Sequence, residues 1–169
     1  MSTDAGAFNK KIVKQMLEYT KRPIIFPLSN PNSKSEADPK DLFKWTDGQA
    51  LVATGSPYEP TELKGEIYTS YQCNNVYVFP SIGLACATVP IKEVTQNMFI
   101  AAAETLSENA LPDLYPSFKQ LREVTMLMAQ NVIKVAQAEN LIEQMPTQAL
   151  EYLLEENMYK PIYKPYCPE

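Results

Sequence analysis

Histidine is absent from the 169-residue chain, and glycine occurs only five times, at positions 6, 48, 55, 65 and 83. The missing imidazole excludes Ser-His-Asp and Cys-His nucleophile pairs, together with the commonest zinc sites. The sparse glycines exclude both G-x-G-x-x-G and G-x-x-x-x-G-K, because no two of them are spaced as those phosphate loops require. Basic charge is also short: fifteen Lys and Arg against twenty Asp and Glu give a net charge of −5. A nucleic-acid binder carries a basic field, so no nucleic-acid partner is expected. Cysteine is scarce and odd in number, at 73, 86 and 167. That pattern predicts reduced, buried thiols rather than a disulfide frame or a Cys-x-x-Cys site. The start, Met1-Ser2-Thr3-Asp4-Ala5, lacks the basic and apolar regions of a signal peptide. The longest uncharged stretch, Ile67 to Ile91, is interrupted by Gln72, Asn74, Asn75, Pro80, Gly83 and Pro90. It reads as buried in protein, with no membrane span.

What remains is one domain's worth of alternating patterns. Phe8, Ile12, Met16 and Tyr19 recur at helical spacing and predict a helix over 8–20. The apolar runs 24–28 and 50–54 read as parallel strands buried on both faces, each ending in turn formers. Between them, Asp38 is placed to cap a short helix that begins at Pro39. Lys64-Gly65 centres a hairpin over 62–69. Beyond Asn74 the chain reads as helical nearly throughout. Thr95 caps a helix with a Phe99, Ala102, Ala103, Leu106 stripe. A long helix over 117–140 carries Leu121, Val124, Met128, Val132 and Val135. Thr147 caps a last helix carrying Leu150, Leu153, Leu154 and Met158. The stretch 159–166 should be an extended tail that packs its tyrosines.

Ligands of open parallel sheets lie beyond the carboxyl ends of the strands. Here those ends are Leu28-Ser29-Asn30-Pro31 and Thr54-Gly55-Ser56-Pro57. Two ordinary turns are the plainer account; a ligand site is the sharper one. Asn74-Asn75 is the second candidate, either as a helix cap or as a pair of neutral amides facing a ligand. The glutamates of the helices read as solvated faces. Met126-Leu127-Met128 reads as helix core.

Longer motifs narrow these choices. Arg22-Pro-Ile-Ile-Phe-Pro-Leu-Ser-Asn-Pro-Asn-Ser-Lys-Ser-Glu36 is followed by Lys44-Trp-Thr-Asp-Gly48 and Ala53-Thr-Gly-Ser-Pro-Tyr58. Gln72-Cys-Asn-Asn-Val-Tyr-Val-Phe-Pro80, Phe99 to Glu104, Leu114-Tyr-Pro116 and Met158-Tyr-Lys-Pro-Ile-Tyr163 come after them. In this order they resemble the later part of the malic enzyme cofactor domain and its C-terminal region. The resemblance implies an α/β fold, with the trailing strands of a partial Rossmann-like parallel sheet followed by a helical C-terminal part. It implies a partial NAD(P)-binding domain over 1–90 and a helical region and tail over 91–169. Malic enzymes oxidise and decarboxylate malate to pyruvate with NAD or NADP and a divalent metal, Mg or Mn. By resemblance, Asn30, Asn74 and Asn75 contact the substrate, and Ser29 and Asn30 lie at the cofactor.

The family's catalytic tyrosine and lysine, metal carboxylates and glycine-rich loop have no counterparts in this chain, so no catalytic or metal residue is assigned. Tyr71, Cys73 and Ser81 stand where the family has glycine, and Pro27 stands where it has alanine, in a strand expected to be central. The implied chain supplies asparagines to an oxidoreductase and is inactive alone, with an exposed apolar edge and poor autonomous stability. The alternative is a non-catalytic relic or binding module. Implied partners are malate, malic enzyme subunits or a second copy. The setting is intracellular, cytoplasmic or mitochondrial/organellar.

Overall fold

The computed structural model describes residues 4–110 and 113–163. Cys167 and the end of the tail expected over 159–166 lie outside these residues. The chain divides into two compact units, Met1–Asn74 and Asn75–Glu169.

The first unit opens with helix α1, Lys10–Tyr19. Asn9 caps it, its side-chain oxygen accepting from the Lys11 and Ile12 backbone N–H groups at 3.0 and 3.2 Å. The buried face of α1 is centred on Val13, whereas Ile12 and Tyr19 of the expected stripe are 42% and 86% exposed. Strand β1 is only Ile24–Ile25, and helix α2 is Pro39–Thr46. Asp38 caps α2 as expected, accepting from the Lys40 N–H at 2.8 Å. Strand β2, Leu51–Thr54, runs parallel to β1 with Ile24 opposite Leu51 and Ile25 opposite Val52. A hairpin of β3, Thr61–Leu63, and β4, Glu66–Tyr68, follows. Its turn residues Lys64 and Gly65 both take positive φ, the backbone that a two-residue hairpin turn requires. Strand β5, Tyr71–Gln72, then pairs parallel with β2 on the side away from β1.

Two expectations are corrected by this sheet. The strand predicted over 24–28 stops at Ile25, because Pro27 has no N–H to continue a ladder. It is also not central: among the described residues β1 pairs with β2 alone, and Ile24 is 62% exposed. The core of the unit lies between α1, α2 and the sheet, formed by Val13, Ile25, Leu42, Phe43 and Val52. Thr46 ties α2 to β2, donating to the Leu42 carbonyl at 2.8 Å and accepting from the Ala50 N–H at 3.2 Å. Gly48 follows with φ 74°, and an added Cβ would overlap the Tyr68 ring. That close approach explains the glycine of the Trp-Thr-Asp-Gly motif.

The second unit is helical: α3, Phe79–Thr88; α4, Gln96–Glu108; α5, Leu121–Ala138; and α6, Thr147–Asn157. Helix α5 packs against the other three. It therefore carries two apolar stripes, Val124, Met128 and Val132 beside Ala129, Ile133 and Ala136. The second stripe is invisible to a one-faced helical template. In α4 the buried stripe is Met98, Ala102, Thr105 and Leu106, and Phe99 and Ala103 turn outward. Thr95 holds the N-cap position without capping; its hydroxyl donates instead to Glu139 at 2.7 Å. Thr147 is the first helical residue of α6 rather than its cap, which is Pro146. Cys86 is exposed and Cys73 half-buried, both free, which corrects the expectation of buried thiols. Cys86 misses the buried face of α3 because that face is Ser81, Leu84 and Ala85. The tail residues Tyr159, Ile162 and Tyr163 are exposed rather than packed. The whole is α/β: a small parallel sheet with covering helices, followed by a helical C-terminal part.

Candidate functional site

The three parallel strands of the first unit end on one edge of the sheet. Past β1 the chain continues to Ser29-Asn30; past β2 it reaches Gly55-Ser56; past β5 it reaches Cys73-Asn74. Backbone bonds carry the strands' alignment into these loops. The Gly55 N–H donates to the Pro27 carbonyl at 3.4 Å, and the Cys73 N–H donates to the Thr54 carbonyl at 2.8 Å.

Asn30 is exposed at this edge, and its side-chain oxygen accepts from the Ser56 hydroxyl. The loop crosses directly above Gly55. A Cβ built there would overlap the Leu28 carbonyl oxygen and lie 2.9 Å from Asn30 Nδ2. A glycine is therefore needed for Asn30 to sit where it does. The Asn30–Pro31 peptide is cis. Ser29 turns the other way: its N–H donates to Glu36 Oε2 at 3.0 Å, and its hydroxyl donates to Glu36 Oε1 at 2.8 Å. Glu36 is 6% exposed. Lys34, at the end of the short 3-10 turn 32–34, is exposed.

Asn74 is exposed at the end of the first unit, two residues beyond β5. Asn75 opens the second unit as the first residue of a 3-10 turn, Asn75–Tyr77, and is also exposed. Its carbonyl accepts from the Val78 N–H at 2.9 Å, just before α3. Tyr77, by contrast, is buried and stacked on Tyr115, with centroids 4.8 Å apart. Burial pushes the Tyr77 phenol above its usual 10.0. Ser81, where glycine was expected, is accommodated: it is fully buried, and its hydroxyl donates to the Val78 carbonyl at 2.7 Å.

The sequence alone did not reveal three parts of this arrangement. Ser56 stands at a candidate strand end, but its hydroxyl's contact with Asn30, 26 residues away, is not readable from the sequence. Glu36 was marked only as the end of a motif, since nothing local distinguishes a buried carboxylate from a solvated one. Strand β5 carries no apolar run and is defined by its pairing with β2.

Among the described residues no group of three or more His, Cys, Asp or Glu side chains could hold a metal ion. Within the first unit, the exposed amides of Asn30 and Asn74 each follow a strand of the parallel sheet, and such amides can both donate and accept hydrogen bonds. Among the described residues no helix is long and apolar enough to cross a membrane.

Parallel strands whose carboxyl ends gather polar loops define this chain as part of an open-sheet α/β protein. Residues 1–137 match the family described as "Malic enzyme, NAD binding domain", and the chain belongs to that family. It is 41% identical over 172 residues to the NAD-dependent malic enzyme of Aeromonas salmonicida, covering 98% of this chain and 30% of that protein. The NAD-dependent malic enzyme of Edwardsiella ictaluri is likewise 41% identical, with the same shares covered. The chain thus spans under a third of the length of these relatives. The crystal structure of malic enzyme from Pyrococcus horikoshii shares its fold, with a TM-score of 0.69 at 23% identity. That match covers 93% of this chain and 33% of the other.

Proposed function

We propose that this chain is the C-terminal segment of a malic enzyme-like oxidoreductase acting on malate and NAD, and that it has no turnover alone. Asn30, Asn74 and Asn75 orient malate through neutral amides, which add no negative charge beside a dicarboxylate. Ser29 and Asn30 lie beside the nicotinamide. Residues 1–90 serve the nucleotide-binding part and 91–169 the helical part. The observation that carries this reading is the single edge where Ser29-Asn30, Gly55-Ser56 and Cys73-Asn74 follow three parallel strands. NAD, when bound, would supply the hydride acceptor for oxidation of the acid. This chain's part is to hold the acid in register for that transfer. The divalent metal (Mg or Mn) and any use of NADP depend on residues other than those described. Association with malic enzyme subunits or with a second copy belongs to the same reading. The same reading carries an intracellular setting, cytoplasmic or mitochondrial/organellar.

Two measurements test it. The purified chain, given malate, NAD and manganese, should form no pyruvate; turnover by the isolated chain would sink the proposal. The intact mass of the polypeptide in its source cell should be several times that of 169 residues. A product of only this length would favour a non-catalytic binding module of the same family.

A further inference from the structure

Glu36 is a buried carboxylate that the proposed chemistry does not use directly. It is 6% exposed and takes two hydrogen bonds from one residue, Ser29, at 3.0 Å from the N–H and 2.8 Å from the hydroxyl. A desolvated carboxylate is costly unless donors compensate it, and charge-assisted bonds to N–H and O–H groups are the strong kind. Both bonds favour the loop geometry that keeps Ser29 seated on Glu36. The intervening residues form a closed brace. The Lys34 N–H donates to the Pro31 carbonyl at 2.8 Å and the Ser35 N–H to the Asn32 carbonyl at 3.1 Å. The Glu36 end is itself fixed to the start of α1, its carbonyl accepting from the Phe8 N–H at 3.0 Å. On the far side of Ser29, Asn30 is held by the Ser56 hydroxyl over Gly55.

We propose that Glu36 is the positioning residue for Asn30: by clamping both donors of Ser29 it fixes where the Asn30 amide is presented at the strand ends. This rests on the reading that Asn30 contacts malate. It also gives Ser29 a definite part, since its N–H and hydroxyl cannot turn to a cofactor without releasing Glu36. Glu36→Gln keeps the shape and one acceptor; its amide nitrogen can donate to the Ser29 hydroxyl while its oxygen accepts from the Ser29 N–H. Glu36→Leu keeps the volume and removes both acceptors.

The test is 15N NMR of the full chain as wild type, Glu36→Gln and Glu36→Leu, with thermal melts as the control for folding. In Glu36→Leu, hydrogen exchange at the Ser29 amide should speed up at least tenfold, and the two Asn30 side-chain NH2 signals should move toward random-coil positions. In Glu36→Gln both effects should fall to within threefold of wild type. Amides of α2 should keep their protection in both variants. Unmoved Asn30 signals alongside faster Ser29 exchange would overturn the proposal, because Glu36 would then anchor the loop without positioning the amide. If Glu36→Leu does not fold, Ser29→Ala, which removes the hydroxyl donor of the clamp, decides: unmoved Asn30 side-chain signals would overturn the proposal, and signals displaced toward random-coil positions support it. A titration of the wild type with sodium malate is read separately. Failure of malate to shift Asn30 would count against the substrate reading while leaving the clamp as measured.

Discussion

The rings of Tyr77 and Tyr115 stack at 4.8 Å between centroids and 18° between planes, joining two motifs that lie 38 positions apart in the sequence. Phe118 flanks the other contact of Tyr77 at 5.7 Å, and the Tyr77 hydroxyl donates to the Pro116 carbonyl at 3.2 Å. The turn that begins with Asn75 is thus pinned at its other end by the Tyr115-Pro116 segment.

Tyr77→Phe should therefore lower the stability of the chain by about 1 kcal/mol, the usual net worth of one buried hydrogen bond, because the stacking survives. Urea denaturation followed by circular dichroism measures it. The buried hydroxyl also carries a pH dependence. Burial raises the Tyr77 pKa in the folded state, so its contribution is complete below 10.0 and is lost as pH rises through the raised value. A variant as stable as wild type at neutral pH would show that the hydroxyl contributes nothing.

The fold was legible wherever local chemistry decides structure. Asp38-Pro39 starts α2, Lys64-Gly65 turns the hairpin, and the runs after Arg22 and at residue 50 pair in parallel. Legibility failed where a distant partner decides. Tyr71-Gln72 become a strand only because β2 offers an edge, and α5 buries two faces only because three helices surround it. Thr95 illustrates the same competition. The sequence places it correctly at the N-cap, but a glutamate 44 residues away takes its hydroxyl. At the candidate site, the loop ends were readable as turn formers, whereas the Ser56 contact and the buried Glu36 depend on long-range packing.

That distant glutamate yields the second prediction. Glu139 accepts from Asn97 Nδ2 at 2.6 Å and from the Thr95 hydroxyl at 2.7 Å, joining the start of α4 to the end of α5. These bonds, Asn97's foremost, hold its carboxyl below the usual 4.5. A carboxylate with a depressed folded pKa stabilises above the unfolded value, and that contribution disappears as pH falls through the folded one. Glu139→Gln should consequently melt below wild type at pH 7, and the gap should close on acidification below 4.5. Paired thermal melts across that range test the sign. A gap that persists unchanged in acid would assign the effect to packing rather than to charge.

The third prediction concerns the open side of the sheet. Parallel sheets are normally covered on both faces and flanked by further strands. Among the described residues β1 is an edge, with Ile24 62% exposed beside Ile12 of α1, 42% exposed, and no charge interrupts the run from Ile24 to Leu28. Between α1 and β1 lies a groove of about 110 Å³ lined by Phe8, Ile12, Met16, Ile24 and Phe26. An uncharged edge beside an apolar groove is a template for association. The isolated chain should therefore self-associate with rising concentration, and Ile24→Lys should shift it toward monomer. The substitution is exposed and should change stability by no more than about 0.5 kcal/mol, so any effect on association is separable from unfolding. Sedimentation velocity at several concentrations, beside a urea melt, makes the measurement. A wild-type chain that stays monomeric and melts in one sharp transition would show that α1 and α2 cover the sheet well enough without further strands.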